Sequence, residues 1–294
     1  MIIIKLMGGL GNQMFQYALG RTISLKIGAE LKVDLSSFCK KSFRIKRYYM
    51  LDAFNIYVMS ATYSEVKRLK DGEKSKFPGI IEMIQRKNSI RPNTYIKEKL
   101  EFVFDPDVFN TREGYFEGYW QNEKYFLDAE DVLREEFTLR NPLTGKNKGI
   151  AERILRSDSV SIHIRRGDYT TDDTTRDFHG ICGQDYYTAC LDYFSRRIKQ
   201  PHFFVFSDEP EWVREKFKIS FPFTVIDHNG PERCHEDLRL MALCRHHIIA
   251  NSSFSWWGAW LDSRSDKVVL GPQRWLNVDS LDTSDLLPRG WVRI

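Results

Sequence analysis

His163-Ile164-Arg165-Arg166-Gly167-Asp168 closes the apolar run that begins at Val160. A strand ending this way delivers an imidazole, two guanidinium groups and a carboxylate to one edge of a sheet. Open α/β sheets bind ligands at the carboxyl ends of their strands, and a guanidinium fork pairs bidentately with phosphate. The chemistry these residues could perform is therefore the handling of a phosphorylated anion. Taken alone, the same six residues also describe a surface arginine pair in ordinary ion pairs.

Two further stretches carry chemistry. Gly8-Gly9-Leu10-Gly11-Asn12-Gln13 stands between an apolar run and a helical pattern, where small residues let backbone N–H groups and a helix N-terminus approach an anion. It departs from the dinucleotide fingerprint, because Met14 stands where glycine or alanine belongs, and it lacks the Lys-Ser/Thr of a P-loop. Asp34, at the end of the next apolar run, keeps a nicotinamide-binding reading open. The other stretch runs from Glu236 to Trp260 as helix, strand, polar turn and helix. Ser252 and Ser253 offer neutral donors to phosphate oxygens at a helix start, and Asp237 could accept the N1–H and exocyclic N–H₂ of a guanine. The competing reading is that Asp237 and the serines cap their helices. Trp256, Trp257 and Trp260 read as core.

These residues need elements to hold them. From residue 160 onward five apolar runs predict strands: 160–164, 202–208, 223–227, 247–251 and 267–271. Helical patterns at 185–199, 211–217, 236–245 and 255–261 lie between them, which predicts a parallel sheet covered on both faces. The first 35 residues repeat the theme, with a strand at 2–6, a helix from about Gln13 to Ile27 stopped by Gly28, and a strand at 31–34. Residues 36–140 fit regular patterns poorly. The polar, turn-rich stretch 141–149 sets an expected division into residues 1–145 and 146–294.

Composition narrows the class. At 294 residues the chain can hold two domains, and no apolar run is long enough to span a bilayer. The N-terminus lacks a basic segment ahead of its apolar run, so it reads as a buried strand and the expected location is the cytoplasm. Five scattered cysteines form no Cys-x-x-Cys pair, which argues against a disulfide framework or a zinc site. Net charge is only +4, but the first hundred residues hold 19 basic against 8 acidic side chains, a net +11 that leaves −7 for the rest. The basic segment 40–47 could face anionic lipid, a pyrophosphate-bearing acceptor or nucleic acid, or simply be solvated.

Taken together, His163-Ile164-Arg165-Arg166-Gly167-Asp168-Tyr169, Phe206-Ser207-Asp208, Asn251-Ser252-Ser253-Phe254-Ser255-Trp256-Trp257 and Gly8 through Tyr17 resemble the α-1,2-fucosyltransferases of glycosyltransferase family 11. Gly114 through Gln121 with Tyr125-Phe126, and Phe178-His179-Gly180, extend the resemblance over nearly the whole chain. It implies an α/β chain of GT-B architecture, two Rossmann-like domains facing a cleft, the first on the acceptor side and the second holding GDP-β-L-fucose. It assigns His163 and Asp237 to guanine, and Arg165, Ser252 and Ser253 to the diphosphate. Phe254, Gly11 and Asn12 join the expected donor-contacting set. Arg166 is left to brace the loop through Asp168.

The implied reaction is inverting transfer of fucose to the 2-hydroxyl of a terminal galactose, as part of a lipopolysaccharide or other surface glycan. Negative charge grows on the β-phosphate as the anomeric bond breaks, and Arg165 is the expected catalytic cation. With arginine, serines and helix amides in that role and no Asp-x-Asp motif, neither a metal nor a further cofactor is expected. His179, Asp168 and Asp34 are candidates for a general base, and Tyr119, Trp120 and Tyr125 for sugar-stacking platforms. The expected partners are GDP-fucose and a galactose-terminated oligosaccharide, with a peripheral membrane contact and no nucleic acid. The alternative is a nicotinamide oxidoreductase using the glycine turn.

Overall fold

The computed structural model describes residues 1–39, 47–71, 94–167, 173–278 and 280–294, with the side chains of 173–175 left aside. The chain divides into two compact units. The first comprises Met1–Leu51 with Ile56–Glu136, and the second comprises Asp52–Asn55 with Phe137–Ile294.

In the first unit, β1 (Ile2–Lys5) leads through the glycine turn into α1 (Leu10–Ile27) and then β2 (Leu31–Asp34). There follow β3 (Met59–Ser60), α2 (Tyr63–Asp71), β4 (Tyr95–Lys97), β5 (Gly114–Glu117) and α3 (Glu130–Glu136). The strands form a parallel sheet in the order β3-β2-β1-β5-β4. β1 is buried along Ile2, Ile3 and Ile4, as a central strand covered on both faces must be. Gly28 ends α1 in the left-handed conformation at φ 63°, its N–H returning to the Ser24 carbonyl, which glycine adopts without steric cost. α1 begins at Leu10, three residues ahead of the expected Gln13. Gly9 takes the N-cap position and its carbonyl accepts the Gln13 N–H.

The second unit carries α4 (Gly145–Leu155), β6 (Asp158–Ile164), α5 (Asp173–His179), α6 (Gln184–Ser195), β7 (Pro201–Ser207), α7 (Pro210–Lys216) and β8 (Phe223–Ile226). It continues with α8 (Cys234–Leu243), β9 (His246–Ile248), α9 (Ser253–Leu261), β10 (Val269–Gly271) and β11 (Val292–Arg293). The five strands expected after residue 160 are all present, with β11 added at one edge. All pair in parallel, in the order β11-β10-β9-β6-β7-β8. β7 shows why its sequence is uninterrupted: Phe203 and Val205 join one core with Tyr187, Leu191 and Phe194 of α6, while Phe204 and Phe206 join the other with Leu240 and Met241 of α8.

Each unit is thus an α/β layer built on a parallel sheet. In each, the strand order reverses at the centre. The chain runs outward from β1 through β2 to β3, crosses to the far edge at β4 and returns with β5 to the other side of β1. From β6 it runs outward to β8 and resumes beside β6 with β9. Such reversals open a crevice at the strand ends, where ligands of α/β proteins bind. No helix among the described residues is long and apolar enough to cross a membrane.

Candidate functional site

β6 is apolar on one face and polar on the other. Val160, Ile162 and Ile164 enter the core beneath α6, whereas Ser159, Ser161 and His163 alternate with them, buried on the opposite face. Ser161 and His247 of β9 share a hydrogen bond at 2.9 Å, and His247 Nε2 meets the Asp262 carboxylate at 3.0 Å. The arrangement has the order of a hydrolytic triad, yet His247 has 0% exposure, so it ties β6, β9 and the end of α9 together and touches no substrate. His163 ends the same polar stripe where the strand order reverses. Its ring lies 5.5 Å from that of Phe254 in α9, and its Nδ1 is buried with no hydrogen-bond partner among the described residues. Burial first, and then the charge of Arg165, push its pKa down to about 3. The imidazole is neutral, with one nitrogen a donor and the other an acceptor.

The chain leaves β6 through two arginines held by acids after β7. Asp208 accepts the Arg165 guanidinium at 2.8 Å through one carboxylate oxygen and the Arg166 backbone N–H at 3.0 Å through the other. A Cβ at Gly167 would come within 2.5 Å of the same carboxylate, which explains the glycine. Arg166 bonds Glu209 at 3.1 Å and stacks its guanidinium 3.7 Å from the centre of the Trp212 ring. Arg166 therefore braces the loop through Glu209, Trp212 and Asp208. Asp168, the expected brace and base candidate, lies outside the described residues. Asp208 was visible in the sequence only as part of Phe206-Ser207-Asp208; its role follows from the pairing of β6 with β7, which brings the two strand ends together.

On the other side of β6, the chain leaves β9 and reaches the start of α9 through Asn251, Ser252 and Ser253. Asn251 is buried and donates to the carbonyls of His179 (2.8 Å), Gly180 (3.3 Å) and Trp275 (3.2 Å). One amide thus pins the His179 backbone beside the start of α9. Ser252 is the N-cap of that helix, its hydroxyl accepting the Phe254 N–H at 3.3 Å. The capping reading holds for Ser252, while Ser253 occupies the first helical position. Trp256, Trp257 and Trp260 are core, as expected. α8 packs against α9 where Gly258 leaves room for Met241, 3.0 Å from the position a Cβ would take.

Asp237 lies in the first turn of α8 without capping it. Its Oδ1 accepts the Asn229 amide at 2.6 Å. Burial raises its pKa to about 6, opposed by the Asn229 bond and the Arg233 charge and reinforced by Glu236. Asn229 was not among the residues expected from sequence, since a lone asparagine after a strand reads as turn chemistry.

The first unit treats its glycine turn differently. Gly11 and Asn12 lie inside the first turn of α1 and not in a loop. Asn12 accepts from Gln121 at 2.9 Å, and its amide nitrogen occupies the space beside Gly8, 2.6 Å from where a Cβ would lie at φ 77°. Gln13 bonds the Gly8 and Tyr48 carbonyls and the Met50 N–H. Gln16, fully buried, accepts from Met7 N at 2.9 Å and donates to the Gly118 carbonyl at 3.1 Å, joining the ends of β1 and β5. Asp34, one of the expected base candidates, is engaged within its own unit: it accepts from the Tyr115 hydroxyl at 2.6 Å and Ser36 N at 2.9 Å. Burial raises its pKa, but those bonds outweigh it and hold it low.

Two of the three expected stacking platforms are also corrected. Trp120 and Tyr125 are each 1% exposed and meet edge to face at 5.7 Å, so neither presents a ring to a sugar. Tyr119 is half-buried. Its N–H and that of Trp120 are both accepted by Glu98, at 2.6 and 3.0 Å. Burial pushes the Glu98 carboxyl up to about 7 against those two bonds. Of the basic segment, only Arg47 lies within the described residues.

Comparison with known proteins gives these sites a family. A model of glycosyl transferase family 11 matches residues 87–294. The alpha-1,2-colitosyltransferase of Escherichia coli is 36% identical over 100% of this chain and 98% of its own length. The O-antigen biosynthesis glycosyltransferase WbnK of the same species is 29% identical over 98% and 99%. Galactoside alpha-(1,2)-fucosyltransferase 1 of Lagothrix lagotricha is 30% identical over 47% of this chain and 40% of its own. The solved fucosyltransferase NodZ from Bradyrhizobium superposes with a TM-score of 0.49 at 14% identity, over 88% of this chain and 90% of its own. The nicotinamide alternative is overturned by the family model and the full-length relative. With the family model covering more than half of the sequence and a relative this similar along its whole length, the chain belongs to glycosyl transferase family 11.

Proposed function

We propose that the second unit binds GDP-β-L-fucose at the β6/β9 reversal and that the enzyme transfers L-fucose, with inversion, to the 2-hydroxyl of a terminal galactose. The observation that carries this reading is the end of β6, where a buried neutral imidazole with an unpartnered Nδ1 stands two residues before an arginine held on Asp208. His163 and Asp237 take the guanine; Arg165, Ser252, Ser253 and the first amides of α9 take the diphosphate. In the reaction the galactose oxygen attacks the anomeric carbon. The bond to the β-phosphate oxygen breaks, its electron pair leaves with GDP, and the hydroxyl proton passes to a base or to water. Arg165 stabilises the charge that grows on the leaving oxygen. His179, tied beside α9 by Asn251, is our candidate base, and residues 1–145 form the acceptor side. The acceptor belongs to a bacterial surface glycan such as O-antigen, and the basic first hundred residues suit a peripheral cytoplasmic contact with a membrane that carries it.

A second donor deserves a direct test, because the 36% identity along the whole chain is to a colitosyltransferase. Colitose lacks only the 3-hydroxyl of fucose. Released GDP should be measured with GDP-fucose and GDP-colitose, with and without lactose, for wild type and Arg165→Ala, and the product linkage read by NMR. Lactose-dependent release from GDP-fucose with an α-1,2 product, lost in the variant, supports the first reading. Release confined to GDP-colitose replaces it with the second, and failure to bind GDP removes both.

A further inference from the structure

The side chains around Asp237 form a closed circuit. Asn147 of α4 and Asn229 are buried at 3% and 6% exposure and exchange two hydrogen bonds: Asn147 Nδ2 donates to Asn229 Oδ1 at 2.8 Å, and Asn229 Nδ2 donates to Asn147 Oδ1 at 3.1 Å. The second hydrogen on Asn229 Nδ2 goes to Asp237 Oδ1 at 2.6 Å. His228 Nε2 closes the other end on Asn147 Oδ1 at 2.7 Å. Four side chains from three places, α4, the loop after β8 and α8, thus share one polarity.

We propose that Asn147 and Asn229 are positioning residues that fix Asp237 as an acceptor-only carboxylate and so set the purine selectivity of the donor site. The proposal rests on the reading that Asp237 holds guanine. An amide offers a donor at one end and an acceptor at the other, and it reverses by rotation about its last bond. With Asn147 Oδ1 engaged by His228, Asn147 presents its N–H₂ to Asn229. Asn229 answers with its carbonyl, and its own N–H₂ is left facing Asp237. Reversing either amide sets donor against donor or carbonyl against carboxylate.

That polarity matters for recognition. Guanine offers two donors on one edge, N1–H and the exocyclic amine, and both require acceptors. Adenine offers an acceptor at N1, and hypoxanthine lacks the exocyclic amine. Burial works against the charged carboxylate at Asp237, and the Asn229 N–H opposes that drift. A buried site built for a donor rejects an analogue lacking it far more strongly than an apolar pocket rejects a missing methyl group.

The experiment measures GDP and IDP dissociation constants by calorimetry at pH 7.5 for wild type, Asn229→Asp, Asn147→Ser and Asp237→Ala, with thermal midpoints alongside. Asn229→Asp keeps the side-chain shape but sets a second carboxyl against Asp237, so one must hold a proton. We expect a loss of roughly tenfold or more in GDP affinity and a collapse of the GDP-to-IDP preference. Asn147→Ser should erode that preference about threefold by releasing the Asn229 amide. A merely structural pair would lower the midpoint and leave the GDP-to-IDP ratio alone. An unchanged ratio in both asparagine variants, with Asp237→Ala having abolished it, overturns the proposal and leaves the guanine assignment standing. An unchanged ratio in Asp237→Ala removes that assignment and the proposal with it.

Discussion

The two strand-order reversals share a topology and differ in how they dispose of buried polar groups. At the first, Gln16 has 0% exposure and bridges Met7 N to the Gly118 carbonyl, Asp34 is held by Tyr115 and Ser36, and Glu98 takes two backbone N–H groups. At the second, His163 is also buried but its Nδ1 has no partner among the described residues, and Asp208 aims Arg165. A buried polar atom left unpaired costs free energy that a folded protein rarely tolerates without use. Among the amide, carboxylate and imidazole side chains at the two reversals, those of the first unit are engaged internally, Gln13 and Gln16 of the glycine turn included, while Trp120 Nε1 there is also buried without a partner among the described residues. Under the proposed function the crevice of the second unit is the one that takes a ligand.

The strongest way to break that comparison is Arg165→Ala. If the second reversal is the donor site, turnover falls by about 10² to 10³ with the fold intact, the cost of removing a preorganised donor from developing charge. Asp208→Asn should fall in the same direction by about tenfold, because it weakens the aim without removing the cation. Single-turnover rates at saturating GDP-fucose measure both. Full activity in Arg165→Ala would move the chemistry elsewhere. In the other unit, Gln16→Leu should leave GDP affinity untouched and cost about 1–3 kcal/mol of stability by stranding the Met7 N–H and the Gly118 carbonyl. A denaturant titration beside GDP binding checks this, and a GDP defect without a stability loss would return the glycine turn to the donor site.

Much of the second unit could be read from its residues, because β7 is a nearly unbroken apolar run and β6, β8 and β10 carry enough β-branched and aromatic residues between turn signals to stand out as strands. β11 is two residues long and too short for any pattern. The first unit was half legible. Ile2 to Asp34 carry strand and helix periodicity, but β3, β4 and β5 are two to four residues each, embedded in 3₁₀ turns whose positions depend on tertiary bonds. His163 and Arg165 stood out by residue type and spacing. Asp208 and Asn229 did not, since their roles exist only when β7 lies beside β6 and when α4 brings Asn147 to the loop after β8. Trp120 and Tyr125 misled for a related reason, as an aromatic residue at a strand end looks the same in sequence whether its ring turns inward or out.

The smallest effect expected is also the one that separates the units most cleanly. All seven histidines lie in the second unit. Burial lowers the pKa of His163, His202, His228, His235, His246 and His247. A folded pKa below the unfolded value means that the unfolded chain takes up protons first, so stability is lost as pH falls below about 6.5. His163 alone, held at about 3, contributes a loss of about 1.4 kcal/mol by about pH 5.5. Asp237, raised to about 6, acts in the opposite sense and offsets part of it. In the first unit Glu98 is raised to about 7: folded, it holds a proton that the unfolded chain releases, so its contribution grows as pH falls from about 7 toward about 4.5. Mild acid should therefore loosen β6 and β9 while leaving β1 and β5 as protected as before. Segment-resolved hydrogen exchange at pH 7.5 and 5.5, corrected for intrinsic rates, reads this directly. His163→Gln should remove part of the loss in β6, and equal deprotection of the two sheets would mean that burial of these histidines is not what distinguishes them.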